Sequence, residues 1–326
     1  MNRRSFVLRA SAVAATLGSL STQPRALPYP TKPVHLLVGG GGGSYPDLVA
    51  RRVAEPLFRA MGQPVVIDNR PGAGGILAMS SLGSSAPDGY TLALATMSQL
   101  VFNSFLFSKL PYDPVNDIAP VGTIFSGPMV VVANPGFGPN SLSDLVEASK
   151  KQAAGINVAI PGNGSPPHIV LAMLMRATGA RFNLIPFKTG PEALVAVMSG
   201  EVPLFLDAPS IVVPNVLAGK IKAITVTGSE RLAVLPAVAT VSESGYPGFK
   251  AEAWMGLVTR AGTPQAIIDQ LNLQLARALA APEVHQFFEA AGSRVVTNSP
   301  EEFASLIRDD RSRWGKIIED AGIKLE

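Results

Sequence analysis

The sequence predicts an α/β protein of two domains joined by two chain crossings. Apolar, strand-like runs alternate with amphipathic helical ones along most of the chain, the pattern of largely parallel sheets covered by helices. The alternation breaks twice, in "APVGTIFSGPMVVVAN" (119–134) and "FKAEAWMGLVTRAG" (249–262), where long β-rich stretches carry no helix. A chain of 326 residues that is 47% hydrophobic can also fill more than one core.

The elements follow in order. Residues 34–38 form the first strand. Ser44 is placed to cap the next helix, Pro46 sits in its first turn, and Val49, Val53, Leu57 and Met61 recur on one face. Residues 64–68 and 90–95 give the second and third strands. Beyond the first break, helices 141–153, 167–178, 190–199 and 209–219 alternate with strands 156–160, 182–187, 203–207 and 221–227. Three helical stretches follow the second break. Reading the breaks as crossings assigns residues 27–125 plus 256–326 to one lobe and 126–255 to the other. One large doubly wound sheet is the alternative arrangement of the same elements.

Residues 1–26 read as an export signal. Arg3 and Arg4 precede Phe6 and an apolar run from Ser11 to Leu20, and Pro24, Arg25 and Ala26 lead into Leu27. The twin arginine points to the Tat route, with Sec as the alternative. The run is too short to span a bilayer and no later stretch reaches about eighteen apolar residues, so a periplasmic protein without a membrane anchor is expected. The chain holds 27 Lys and Arg against 24 Asp and Glu. The signal takes four arginines and no acid, leaving 23 against 24. The basic excess thus belongs to the signal, and the footprint of a nucleic-acid partner disappears. With no cysteine in the sequence, disulfides, a thiol nucleophile and a Cys-ligated metal are excluded.

Three glycine-rich turns each join a strand end to a helix start: "VGGGGGSYPDLVARR" (38–52), "NRPGAGG" (69–75) and "PGNGSPPH" (161–168). Bare backbone lets amides approach a ligand closely, and a helix start carries partial positive charge, so each turn is a seat for an anion. Residues 39–44 lack the last glycine of the dinucleotide fingerprint, and no G-x-x-x-x-G-K-[ST] occurs. A carboxylate therefore fits better than a phosphate, and no cofactor is expected. Two turns from one domain and one from the other define a cleft at the carboxyl ends of the strands.

Among side chains, Arg70 is assigned to loop support, although its guanidinium could clamp a carboxylate. His168 reads equally as a ligand contact or base and as a helix cap. Asp207 ends a strand, either at the cleft mouth or as a cap for the helix after Pro209. Trp254 walls the pocket or fills the core, and His35 and His285 are structural. Ser165 and His168 lie three apart with no G-x-S-x-G elbow, and no H-E-x-x-H spacing occurs. No catalytic or metal-binding residue is assigned; the rival reading, an exported α/β hydrolase acting on a carboxylate ester, lacks its Ser–His–acid set.

The sequence resembles the tripartite tricarboxylate transporter substrate-binding receptors, also called Bug proteins. The motifs run in order from Tyr29 to the C-terminus and include "YPTKPVHLLV", "DLVARRVAE", "VVIDNRPGAGG", "APDGYTL", "YDPVNDIAPVG", "GNGSPPH", "PFKTGPEAL", "MSGEVPLFLD" and "SPEEFASLIRDDRSRW". The resemblance implies an α/β periplasmic binding protein of the two-lobed Venus-flytrap type (type II) with two crossover strands. It implies a small carboxylate or related organic ligand, and a membrane transporter or a sensor kinase as partner, with the receptor itself a monomer. The cleft positions it implies are Gly42, Gly43, Ser44 and Tyr45 in the first turn, Gly72, Ala73 and Gly74 in the second, and Gly164, Ser165 and His168 in the third. Ser98, Thr189 and Asp207 complete the set. Where relatives carry an apolar start to the first turn, this chain has Gly39 and Gly40, and it adds Tyr45.

Overall fold

A computed structural model describes residues 29–290 and 292–325; the expected export signal lies outside them. The chain runs β1 (Val34–Val38), α1 (Tyr45–Met61), β2 (Val65–Asn69), α2 (Ile76–Gly83), β3 (Thr91–Thr96), α3 (Asn103–Leu106) and a long β4 (Ile118–Pro128). It continues through β5 (Val130–Ala133), α4 (Leu142–Lys151), β6 (Ile156–Ile160), α5 (Pro166–Thr178), β7 (Phe182–Pro186), α6 (Gly190–Ser199), β8 (Leu204–Asp207), α7 (Pro209–Leu217) and β9 (Lys222–Val226). It ends with β10 (Glu252–Arg260), α8 (Gln265–Leu279), α9 (Pro282–Ala290), β11 (Arg294–Val295) and α10 (Pro300–Asp320).

These strands make two sheets, ordered β11-β4-β10-β3-β1-β2 and β7-β6-β8-β5-β9. In the first, β1 runs parallel to β2 and β3, and β10 runs antiparallel to β3 and β4. In the second, β6 runs parallel to β7 and β8, and β5 runs antiparallel to β8 and β9. Each sheet thus repeats one plan, three parallel strands beside an antiparallel one. Strands such as β1, with Val34, Leu36, Leu37 and Val38 all buried, are covered on both faces, which explains their unbroken apolar runs.

Local chemistry sets the helix limits. Ser141 with Asp144 and Ser299 with Glu302 form reciprocal capping boxes at the starts of α4 and α10. Gly62, Gly179 and Gly200 end α1, α5 and α6 in the left-handed conformation. Pro56 inside α1 and Pro214 inside α7 are tolerated.

The chain passes between the sheets twice. Only Met129 separates β4 from β5 on the outward pass, and residues 227–251 return it to β10. Buried Thr227 stitches the two passes together: its hydroxyl donates to the Ala251 carbonyl at 2.7 Å and accepts the Met129 N–H at 2.9 Å. Its backbone N–H donates to Met129 O and its carbonyl accepts Ala251 N–H, both at 2.9 Å.

Candidate ligand-binding site

A cavity of about 680 Å³ lies between the two sheets and takes its wall from both. The residues around the starts of four helices open onto it: Ser44 and Tyr45 of α1, Ser165 and Pro166 of α5, Thr189 and Gly190 of α6, and Asp207 and Ala208 before α7. Partial positive charge from four helix dipoles therefore converges on one space. Lys188 is the one basic side chain in its wall among the described residues, and Asp207 the one acidic.

The first two glycine turns pack against each other. A Cβ on Gly39 would lie 2.8 Å from the Gly75 Cα, and one on Gly75 would collide with the Gln99 side chain. Gly39 is required by the close approach of the Gly75 backbone, and Gly75 by the Gln99 side chain and by its own φ of 85°. Asn69 Nδ2 ties the turns, donating to the Gly40 carbonyl at 2.9 Å and to Asp47 Oδ1 at 3.0 Å. Burial alone would raise the Asp47 carboxyl, but Arg51, the Gly43 N–H and Asn69 together hold it below its ordinary range. Arg70 lies outside the cavity wall, bound to Asp68 and to Ser81 Oγ at 2.8 Å. It supports the loop through these side chains.

The third turn lines the cavity but spends much of its polar capacity on itself. Gly164 N–H donates to His168 Nδ1 at 2.9 Å, and Gly164 O accepts the Ser98 hydroxyl at 2.8 Å. Ser165 Oγ donates to Gly162 O at 2.7 Å and caps α5 by accepting the His168 N–H. Pro166 and Pro167 have no N–H to offer. His168 is buried, which lowers its imidazole below the usual range, and its Nδ1 accepts the Gly164 N–H inside the turn. His168 Nδ1, taken by the Gly164 N–H, does not accept from the Ser165 hydroxyl, which donates to Gly162 O. Among the residues that line the cavity, those whose N–H has no partner among the described residues include Gly41, Gly72, Gly74, Gly162, Asn163 and Gly190.

Of the positions implied by resemblance, Ser44, Tyr45, Gly72, Gly74, Ser98, Ser165, Thr189 and Asp207 line the cavity. Gly42 and Gly43 do not, because Asp47 takes the Gly43 N–H at 2.9 Å and the turn bulges outward there with both glycines exposed. Gly164 and His168 lie behind the wall, engaged with each other and with Ser98. Ala73 belongs to the helical turn Ala73–Gly75 beside the cavity. Thr189 Oγ1 accepts Glu192 N–H as the cap of α6.

At one end, Tyr45, Ser210 and Ser293 bring their hydroxyls together, yet none makes a hydrogen bond of good geometry within the protein. Asp207 faces the same group. Its Oδ1 accepts Ala208 N–H at 2.7 Å, no cation pairs with it, and burial pushes its carboxyl up to about 7. Burial likewise pushes the Tyr45 phenol up. Trp254 both walls the cavity and fills the core: its Nε1 donates to Asp310 at 2.6 Å and its ring meets Phe303 edge-on.

Sequence reasoning missed Thr96, Gln99, Phe107, Lys188 and Leu325 in the wall. Gln99 lies on a π-helical turn, Ser98–Phe102, with its Oε1 accepting Thr96 N–H at 2.6 Å. Lys188 had a local signal, since it directly precedes a cap and helix start. Phe107 and Leu325 had none, because only the tertiary fold brings them to the cavity.

The sequence model described as "Tripartite tricarboxylate transporter family receptor" matches residues 49–323. The chain belongs to this receptor family. Protein BugT of Bordetella pertussis is 33% identical over 299 residues, covering 91% of this chain and 92% of that protein. The solved structure of the periplasmic binding protein BugD is 31% identical with a TM-score of 0.85, covering 91% of this chain and all of that one. MatC of Rhodopseudomonas palustris, solved with bound malate, is 33% identical with a TM-score of 0.84 over 89% of this chain and all of that one. The receptor therefore has the two-lobed α/β fold of periplasmic binding proteins, the Venus-flytrap fold with two crossover strands that the sequence implied. As a receptor of this family it is a substrate-binding protein. No helix among its described residues is long and apolar enough to cross a membrane.

Proposed function

We propose that this receptor works in the periplasm, captures a small organic carboxylate between its lobes, and delivers it to a tripartite tricarboxylate-type membrane transporter. The carrying observation is the convergence of four helix starts and the unpartnered amides of Gly41, Gly72, Gly74 and Gly190 on one cavity with no arginine in its wall. Aligned amides and helix dipoles stabilise an anion without a fixed counter-charge. The lobes, residues 27–125 plus 256–326 and 126–255, close about the paired passes that Thr227 joins, since contacts from both sides exist together only in the closed form. The malate bound by MatC and the adipate held by a second R. palustris relative support the carboxylate class.

The test is native mass spectrometry of protein purified from the periplasm, followed by thermal melts with the released compound. A carboxylate that raises the melting temperature in the manner of one-site linkage is expected. A released ligand with no carboxyl group would overturn the reading.

A further inference from the structure

The cavity is roomier and less charged than a small polyanion needs. Lys188 is the one basic side chain in its wall among the described residues, and it stands on the exposed side of the turn before α6. A second carboxylate placed deep in the cavity would face Asp207, Tyr45 and the neighbouring serine hydroxyls, with no cation beside it. An ionised group taken out of water without a partner is strongly disfavoured. Much of the remaining wall is apolar, with Phe107, Met129, Ala253, Trp254 and Leu325 in it.

Leu325 reaches this wall because the segment after α10 is tied down on both lobes. Its N–H donates to Leu106 O at 2.8 Å, and Lys324 Nζ donates to Phe105 O at 2.9 Å. Ile323 packs on the core beside them. Asp320 pairs across the cleft with Arg176 of α5 at 2.8 Å. The Leu325 Cδ1 and the Leu106 Cδ1 crowd the Gly164 turn of the other lobe, 3.0 and 3.1 Å from where a Cβ would stand there. The side chain thus sits at the seam of the lobes, with its apolar end against the ligand space.

Resting on the carboxylate-receptor reading, we propose that the ligand is a monocarboxylate with an apolar body of aromatic or medium-chain size, and that Leu325 is part of the surface on which that body lies. The charged head takes the glycine amides and helix starts, and the body takes the apolar wall, where burial of hydrocarbon supplies affinity.

The test is titration calorimetry of the full mature protein at pH 7.5 with hexanoate and phenylacetate against malate, adipate and citrate. Hexanoate or phenylacetate is expected to bind at least about ten-fold tighter than any of the three polyacids. Leu325→Ala should weaken the better of the two by about ten-fold, the loss expected for a few buried carbons, with the empty protein still folding cooperatively at a modestly lower melting temperature and affinity restored in Leu325→Met. A polyacid that binds more tightly overturns this inference and leaves the carboxylate receptor standing. Failure of all five acids to bind overturns both. Unchanged hexanoate and phenylacetate affinities in a folded Leu325→Ala protein remove Leu325 from the ligand surface.

Discussion

Replacing Asp207 with Asn should stabilise the empty receptor, and by an amount that grows with pH. The Asp207 carboxyl is buried at the end of β8, accepts one hydrogen bond from Ala208 N–H, and is pushed from 3.8 up to about 7 by desolvation. Below pH 3.8 native and unfolded chains both hold this proton, so it costs nothing. Between 3.8 and about 7 only the native chain holds it; the unfolded chain gains by ionising, and stability falls as pH rises. Above about 7 the full penalty persists. Three pH units at about 1.4 kcal/mol each give roughly 4 kcal/mol. Asn keeps the shape and the acceptor for Ala208 and cannot ionise. Urea unfolding of the two ligand-free proteins from pH 4 to pH 8.5 isolates the effect, because every other titrating group is shared. The stability difference should widen by roughly 4 kcal/mol across that range. Parallel curves would refute the reasoning. They would mean that the starts of α6 and α7 hold Asp207 as a carboxylate in the native state, their dipoles outweighing its desolvation.

Other residues yield further expectations. Thr227→Val keeps the volume but strands the Met129 N–H and the Ala251 carbonyl, so urea melts should show a loss of about 2–4 kcal/mol. Gly75→Ala places a methyl against Gln99 at a φ of 85°, and a loss of about 1–3 kcal/mol with weakened ligand binding should appear in melts and calorimetry. Ser165→Ala removes the cap of α5 at about 1 kcal/mol but should leave ligand affinity within about two-fold by calorimetry, because its hydroxyl is already spent on Gly162 and His168. Arg70→Ala should cost no more than about 1 kcal/mol in a thermal melt and leave binding unchanged, since its pair with Asp68 is exposed.

Much of the fold was legible because buried parallel strands and capped helices write themselves locally. The first strand, α6 and β6 coincide with the expected 34–38, 190–199 and 156–160, and the remaining shared elements agree within a few residues. The β-rich break at 119–134 resolves into β4 and β5 with a single residue, Met129, between them in different sheets. The short elements were not legible. The π-helical turn at Ser98–Phe102 and the two-residue β11 owe their form to tertiary neighbours: Gln99 bonds back to Thr96, and Arg294 and Val295 pair with Ser126 and Phe125. Periodicity cannot reveal five residues whose conformation is set by one side chain.

The glycine turns show where reading a site from sequence succeeds and where it stops. Three such turns at strand ends do gather around one cavity, because parallel strands deliver all their carboxyl ends to the same side of a sheet. What each glycine does there is a different matter. Gly39 and Gly75 are small so that two loops can touch, Gly43 surrenders its amide to Asp47, and Gly164 gives both its polar groups to Ser98 and His168. An unspent amide, not a bare Cα, is what an anion can use, and sequence does not tell which amides are spent. The third turn makes the point most sharply. Its glycines, serine and histidine all suggest ligand contact, yet two prolines carry no N–H and the capping network consumes those of Gly164, Ser165 and His168, which leaves the helix start itself with none to offer. The carboxylate should therefore sit nearer the Gly72–Gly74 turn and the start of α6 than the start of α5. Gly190→Pro, which deletes one amide and sets a Cβ 2.5 Å from Asp207 Oδ2 so that this side chain must shift, should weaken binding about ten-fold or more in calorimetry. A cavity whose affinity survives that change would place the anion elsewhere, and the unpartnered hydroxyls beside Tyr45 would become its seat.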